Sequence, residues 1–263
     1  MEKQFRIAIL YICTGEYVVF WEAFYNSFEK YFLKKSSIEY FVFTDSPNIF
    51  GEEENNKIHK IYQKNLGWPG NTLFRFQMFN MIRGELGSFD FVFFLNANIV
   101  CMEEIKEEEF LPLETELLLV QHPGYYKTHI RKLPYERRRE SSACIPRGKG
   151  KDYVYGAING GRTEAFLRMT TELDKDIQKD FKKGIIAKWH DESHLNCYAW
   201  RYGNYRLLTP EYAYPEGWEL PYKEKIRILD KKLKIKLDPE KIKELENRSM
   251  RKRLKRLFAK MPG

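Results

Sequence analysis

Paired cysteines are missing from this chain. Cys13, Cys101, Cys144 and Cys197 are widely separated, with no CxxC, so spacing encodes neither a structural metal site nor a disulfide framework, and a reduced compartment is expected. Glycine signatures for phosphate are missing too. The first apolar run is followed by ICTGEY, with one glycine, where a dinucleotide fold would show GxGxxG, and no P-loop pattern GxxxxGK(S/T) occurs. No apolar stretch approaches the roughly 20 residues of a membrane span. The opening MEKQFRIAILYICTG passes into Gly15 and Glu16 without a small-residue cleavage site. A soluble, cytoplasmic protein is the expectation. Internal repeats and low-complexity linkers are also lacking.

What remains is a chain of 263 residues with 43% hydrophobic content, enough to bury one large core or two small ones. Its net charge of +8 is uneven: from Lys223 to Gly263 there are 16 Lys and Arg against 6 Asp and Glu, a balance of +10, which leaves −2 for residues 1–222. A basic tail on a near-neutral body suits nucleic acid, anionic lipid, a phosphorylated small molecule or a plain solvated helix, and charge alone does not choose among them.

The coarse order is strand, helix, strand. RIAILYI (6–12) is a continuous apolar strand, and Tyr17, Phe20, Trp21, Phe24, Tyr25, Phe28, Tyr31 and Phe32 recur at helical spacing. IEYFVFTD (38–45) and a weaker KIHKIYQ (57–63) follow as strands, then a helix over 72–83 and a buried strand FVFFL at the end of 89–95. That alternation predicts parallel pairing with right-handed crossovers. LLLVQ and YVYGAIN read as further strands, 164–181 and 191–202 as helices, and 239–260 as an amphipathic helix.

Two stretches carry chemistry. FDFVFFLNANIV ends a core strand on Asn96 and Asn98, where α/β proteins place ligands; asparagine also suits a simple turn. AKWHDESHLNCYAW packs His190, Asp191, Glu192 and His194 into five positions. Histidines four apart could share a metal on one helix face, but HDESH is not the HExxH order of zinc proteases and no third ligand follows at an obvious spacing. Asp191 suits a helix N-cap.

Taken in order, EYVVFWEAF, EYFVFTD, the arginine of LFRFQM, FVFFLNAN, VQHPGYY, PYERRRESSACIP, YVYGAINGG and WHDESHLN resemble glycosyltransferase family six, most closely its bacterial members. The retaining enzymes of that family include the histo-blood-group A and B transferases and the α-1,3-galactosyltransferase of mammals. The resemblance covers most of residues 5–215 and implies a GT-A type α/β fold: a single domain with a mixed, mainly parallel central sheet over 1–238, carrying a basic helical tail over 239–263. It also implies α-1,3 transfer of N-acetylgalactosamine, or galactose, from a UDP-sugar donor to an oligosaccharide acceptor ending in a fucosylated galactose.

Mammalian members bind manganese through Asp-x-Asp at the strand end, whereas this chain has Asn96, Ala97 and Asn98. Two amides offer no negative charge to a cation. Catalysis without metal or other cofactor is therefore expected, with the amides bonded to donor oxygens and a tail lysine on the diphosphate; Lys231 is the best match, with Lys232 and Lys234 as neighbours. The same resemblance assigns Ile12, Cys13, Thr14 and Tyr17 to uridine, Arg75 to the donor sugar, and Tyr155, Gly156 and Ala157 to donor choice. His122, Trp189 and Asp191 fall to the acceptor and Glu192 to catalysis, as nucleophile or as partner of an oxocarbenium-like centre. Core packing for Tyr17, a surface ion pair for Arg75 and a first-turn acid for Glu192 are the plainer readings of the same residues. Nucleic acid is not an expected partner; weak contact of the tail with the inner membrane face is. The competing function is a catalytically idle carbohydrate- or nucleic-acid-binding protein acting through its tail, and donor hydrolysis in EDTA separates the two.

Overall fold

The computed structural model describes residues 4–231. The proposed tail helix, the boundary after 238, Lys232 and Lys234 all lie outside the described residues. Ten strands and seven helices are named here in chain order. Strand β1 (Arg6–Ile12) is followed by a 3₁₀ turn over Gly15–Phe20, α1 (Trp21–Tyr31), β2 (Ser37–Thr44), β3 (Ile58–Tyr62), α2 (Gly70–Leu73), α3 (Arg75–Met81) and α4 (Arg83–Leu86). Then come β4 (Phe91–Leu95), β5 (Ile99–Cys101), α5 (Glu107–Phe110), β6 (Leu117–Gln121), β7 (Val154–Arg162), α6 (Thr163–Lys182) and α7 (His190–Tyr202). The described part closes with β8 (Tyr205–Leu208), β9 (Tyr214–Pro215) and β10 (Ile226–Ile228).

A seven-stranded sheet runs β3-β2-β1-β4-β7-β6-β8, with β7 alone antiparallel to its neighbours. This is the mixed, mostly parallel sheet that the resemblance implies. Because side chains alternate along a strand, Ile7, Ile9 and Tyr11 of β1 join a core with α1, while Ala8 and Leu10 join a second core with α3, α6 and α7. Burial on both faces explains why β1 and β4 read as unbroken apolar runs. A small sheet β5-β10-β9 lies beyond the end of β4 and brings the chain's last described residues back to that strand end.

Two expected helices differ. The stretch expected to be helical from Tyr17 begins as the 3₁₀ turn, where the adjacent β-branched Val18 and Val19 weaken α geometry. The helix expected over 72–83 is broken at Phe74 and Ile82 into three short pieces. The first break lies where Arg75 swings back, its Nε donating to Thr72 O at 3.2 Å. Among the described residues no helix is long and apolar enough to cross a membrane.

Candidate active site

The carboxyl ends of β1 and β4, the start of β7 and the first turn of α7 converge with the residue after β10. From β1 come Ile12, Cys13 and Thr14. Cys13 is buried, its thiol pushed up to about 12 mainly by burial, and its carbonyl accepts from Thr44 Oγ1 at 2.9 Å, so its role is backbone geometry rather than reactivity. Thr14 is also buried and accepts from Asn71 Nδ2 at 2.9 Å. Tyr17 is not simply a core ring: it is partly buried on the first core cluster, and Lys231 Nζ stands 5.2 Å from its ring centre.

Arg75 corrects the surface-ion-pair reading. It is 7% exposed, its Nε 3.1 Å from Asp191 Oδ2, its Nη1 donating to Gly156 O at 3.0 Å and its guanidinium 4.5 Å above the centre of the Phe94 ring. Asp191 is correspondingly not a cap. The helix begins one residue earlier, Trp189 N donates to Ser193 Oγ at 2.9 Å, and the Asp191 carboxylate turns inward to Arg75. Burial raises that carboxyl to about 6, against the lowering pull of Arg75.

Glu192, next in sequence, is held by two donors. Gly156 N reaches Oε2 at 2.8 Å and Tyr153 Oη reaches Oε1 at 2.9 Å. Burial nevertheless raises its carboxyl to about 7, with Asp191 adding to the rise and the two hydrogen bonds and Arg75 opposing it. Glu192 does lie in the first turn of α7, as the plainer reading has it, and in addition its carboxylate is tied to Tyr153 and Gly156. Gly156 leaves little space beside the two carboxylates. A Cβ there would lie 3.3 Å from Glu192 Cβ and 3.5 Å from Asp191 Oδ2.

Tyr155 stands beside this pair and is raised to about 12 by burial and Glu192. Its ring centre is 4.6 Å from that of His122. Burial lowers His122 to about 4, and Gly124 N donates to its Nδ1 at 3.0 Å, so the proton sits on Nε2 as a donor. Trp189 is 43% exposed at the head of α7. Ala157 is buried, and its carbonyl accepts from Asn96 N at 2.9 Å.

The strand-end asparagines behave unequally. Asn96 Nδ2 donates to Asn98 Oδ1 at 2.8 Å, and Asn98 Nδ2 donates to Leu229 O at 2.6 Å. Asn98 is thereby bonded to the chain through both amide atoms, with one N–H and one lone pair left over; Ala97, between them, accepts from Tyr11 Oη at 2.9 Å. This set is a poor match for a divalent ion, since neither side chain is anionic and the Asn98 oxygen already accepts from Asn96. Among the described residues no group of three His, Cys, Asp or Glu could hold one either, the HDESH pair included. Lys231 is the described tail lysine nearest this end of the sheet, its ammonium lowered to about 8 by burial and by the nearby Arg75.

Tyr153 is a site residue that sequence reading missed. Alternation along YVYGAIN puts it on the same face as Tyr155, which is the signal that could have found it.

A family model described as "Glycosyltransferase family 6" matches residues 1–242. The O-antigen biosynthesis glycosyltransferase WbnI of Escherichia coli is 38% identical over 225 residues, 86% of this chain and 94% of that protein. Globoside alpha-1,3-N-acetylgalactosaminyltransferase 1 of Gallus gallus is 28% identical over 222 residues, 82% of this chain and 64% of the relative. Histo-blood group ABO system transferase 1 of Rattus norvegicus is 27% identical over 232 residues, 83% and 66% respectively. The chain thus spans about two thirds of these vertebrate relatives.

Proposed function

The chain belongs to glycosyltransferase family 6, and from that premise we propose that it is a metal-independent retaining α-1,3-glycosyltransferase, moving N-acetylgalactosamine or galactose from a UDP-sugar to a galactoside, with a fucosylated galactose as the preferred terminus. The observation that carries this reading is the Glu192 carboxylate, fixed by Tyr153 and Gly156 beside the Arg75–Asp191 pair. A retaining transfer breaks the bond between the anomeric carbon and the diphosphate and needs a negative group on the positive sugar centre. Glu192 meets that need whether it bonds the carbon covalently or steadies it while the acceptor attacks. The diphosphate takes up the departing charge, Lys231 is the cation that answers it, and Arg75 stands at the donor sugar. His122 donates from Nε2 to an acceptor oxygen, and Trp189 offers its exposed face to the sugar's apolar side. The absence of any side chain at Gly156 supports N-acetylgalactosamine over galactose as the donor sugar. The same proposal places the protein in the cytoplasm, with the basic tail at the inner membrane face.

Product analysis with both UDP sugars against a panel of galactosides, run in chelator, tests the reading. An α-1,3-linked product at nearly the rate seen with added manganese is expected; a strict manganese requirement sinks the metal-free part, and absence of transfer sinks the whole.

The pH dependence follows from two groups. Glu192 must be ionised, so kcat/KM rises through about 7, and Lys231 must keep its proton, so the rate declines above about 8. Tyr153→Phe removes a bond that favours the ionised carboxylate and is expected to move the acid limb up by roughly one pH unit, the worth of a hydrogen bond to a charged group. An unmoved limb in a pH–rate profile would show that Tyr153 does not tune Glu192.

A further inference from the structure

Asn98 sits where a metal ligand would be expected, yet it binds the chain's own end. Its amide nitrogen donates to Leu229 O at 2.6 Å, and its backbone carbonyl accepts from Leu229 N at 2.8 Å. The contact continues the β5–β10 ladder, in which Ile228 lies opposite Ile99, by one further pair, and the side chain adds a bond where the ladder stops. Asn96 fixes the rotamer through Asn98 Oδ1. Two residues beyond Leu229 stands Lys231, over Tyr17. The backbone between them is pinned on its other side, where Asp230 N donates to Glu216 Oε2 at 2.8 Å.

We propose that Asn98 is a positioning residue: its amide anchors the end of β10 so that the Lys231 ammonium is held at the strand end, where the donor's diphosphate is placed. The proposal rests on the function argued above. Only a side chain that can donate and accept at once fits between Asn96 and the Leu229 carbonyl; a carboxylate would set an oxygen against an oxygen. The anchor has work to do, because Lys231 is desolvated and sits near Arg75, conditions that favour its escape to water.

A double-mutant cycle on the full chain tests it, with turnover, donor KM and thermal midpoint measured for Asn98→Ala, Lys231→Ala and the pair. If Asn98 works through Lys231, Asn98→Ala lowers kcat about tenfold with a smaller change in donor KM, and it costs less than about twofold further in the Lys231→Ala background. Losses that multiply in the double variant overturn the proposal. Full turnover in Lys231→Ala removes the lysine from the chemistry, and the premise fails first. A reading independent of activity comes from titrating the lysine side-chain ¹³C signals: freed by Asn98→Ala, Lys231 should titrate above its value of about 8, towards 10.5. An unmoved titration would mean that the amide does not hold it.

Discussion

Glu192→Gln is expected to lower turnover by about three orders of magnitude while leaving UDP-sugar affinity within a few-fold. The substitution is nearly isosteric and its hydrogen bonds can be re-formed. The amide oxygen accepts from Gly156 N, and the amide nitrogen donates to the Tyr153 hydroxyl, which rotates its own hydrogen away. What is lost is the charge facing the sugar centre, an interaction that grows only as the glycosidic bond breaks. On the proposed function donor binding falls to Tyr17 and Lys231, away from Glu192, and is spared. Steady-state kinetics with a direct UDP-binding measurement check this, and near-normal turnover would move the catalytic role to another residue.

Arg75→Ala is expected to be damaging in a second way, to the fold as well as to the reaction. Removing the guanidinium leaves Asp191 buried without its partner, a loss of about 3–5 kcal/mol for a buried pair broken on one side. The effect depends on pH, with a sign that can be worked out. The Asp191 carboxyl is already raised in the folded protein, to about 6 against 3.8 for the free group, and rises further once Arg75 is gone. The folded state then binds the proton more tightly than the unfolded state, so stability falls as pH climbs from about 4 through the folded value. Urea unfolding at pH 5 and pH 8 should show the variant much closer to the parent at the lower pH. A deficit independent of pH would mean that the loss is packing on Phe94 rather than the ion pair.

The legible parts of the fold were those whose signal is local. β1 and β4 announce burial on both faces by unbroken apolar runs, and α6 and α7 carry their apolar residues at helical spacing. β5, β9 and β10 span two or three residues each, too few for any period to register. The site was legible as a set of positions, because the resemblance places Arg75, Gly156, Asp191 and Glu192 together and the fold brings them together. The direction of each side chain was not. Asp191 reads as a cap because an acid at the start of a helix usually is one, and its turn towards Arg75 depends on which face α7 presents to the sheet. Asn98 reads as a ligand because of its place at the strand end, and the carbonyl that claims it is 131 residues away. The paired glycines of YVYGAINGG are a different case: a Cβ on Gly160 would lie 2.4 Å from Val92 O and one on Gly161 2.3 Å from Glu116 O. Part of the stretch that carries the resemblance is therefore steric, required for strands to approach rather than for chemistry.

The return of β10 to β5 also bears on how the protein is made. Leu229 leaves the ribosome 131 residues after Asn98, roughly 7–26 s later at ordinary elongation rates. Throughout that interval β5, with Ile99 and Cys101 destined for the core, is an apolar edge without its partner, open to pairing with other chains. The segment that Asn98 anchors is also the piece that seals this edge. Nascent chains stalled before β10 would thus present an unpaired apolar edge, and slowing elongation is expected to lower the yield of folded protein.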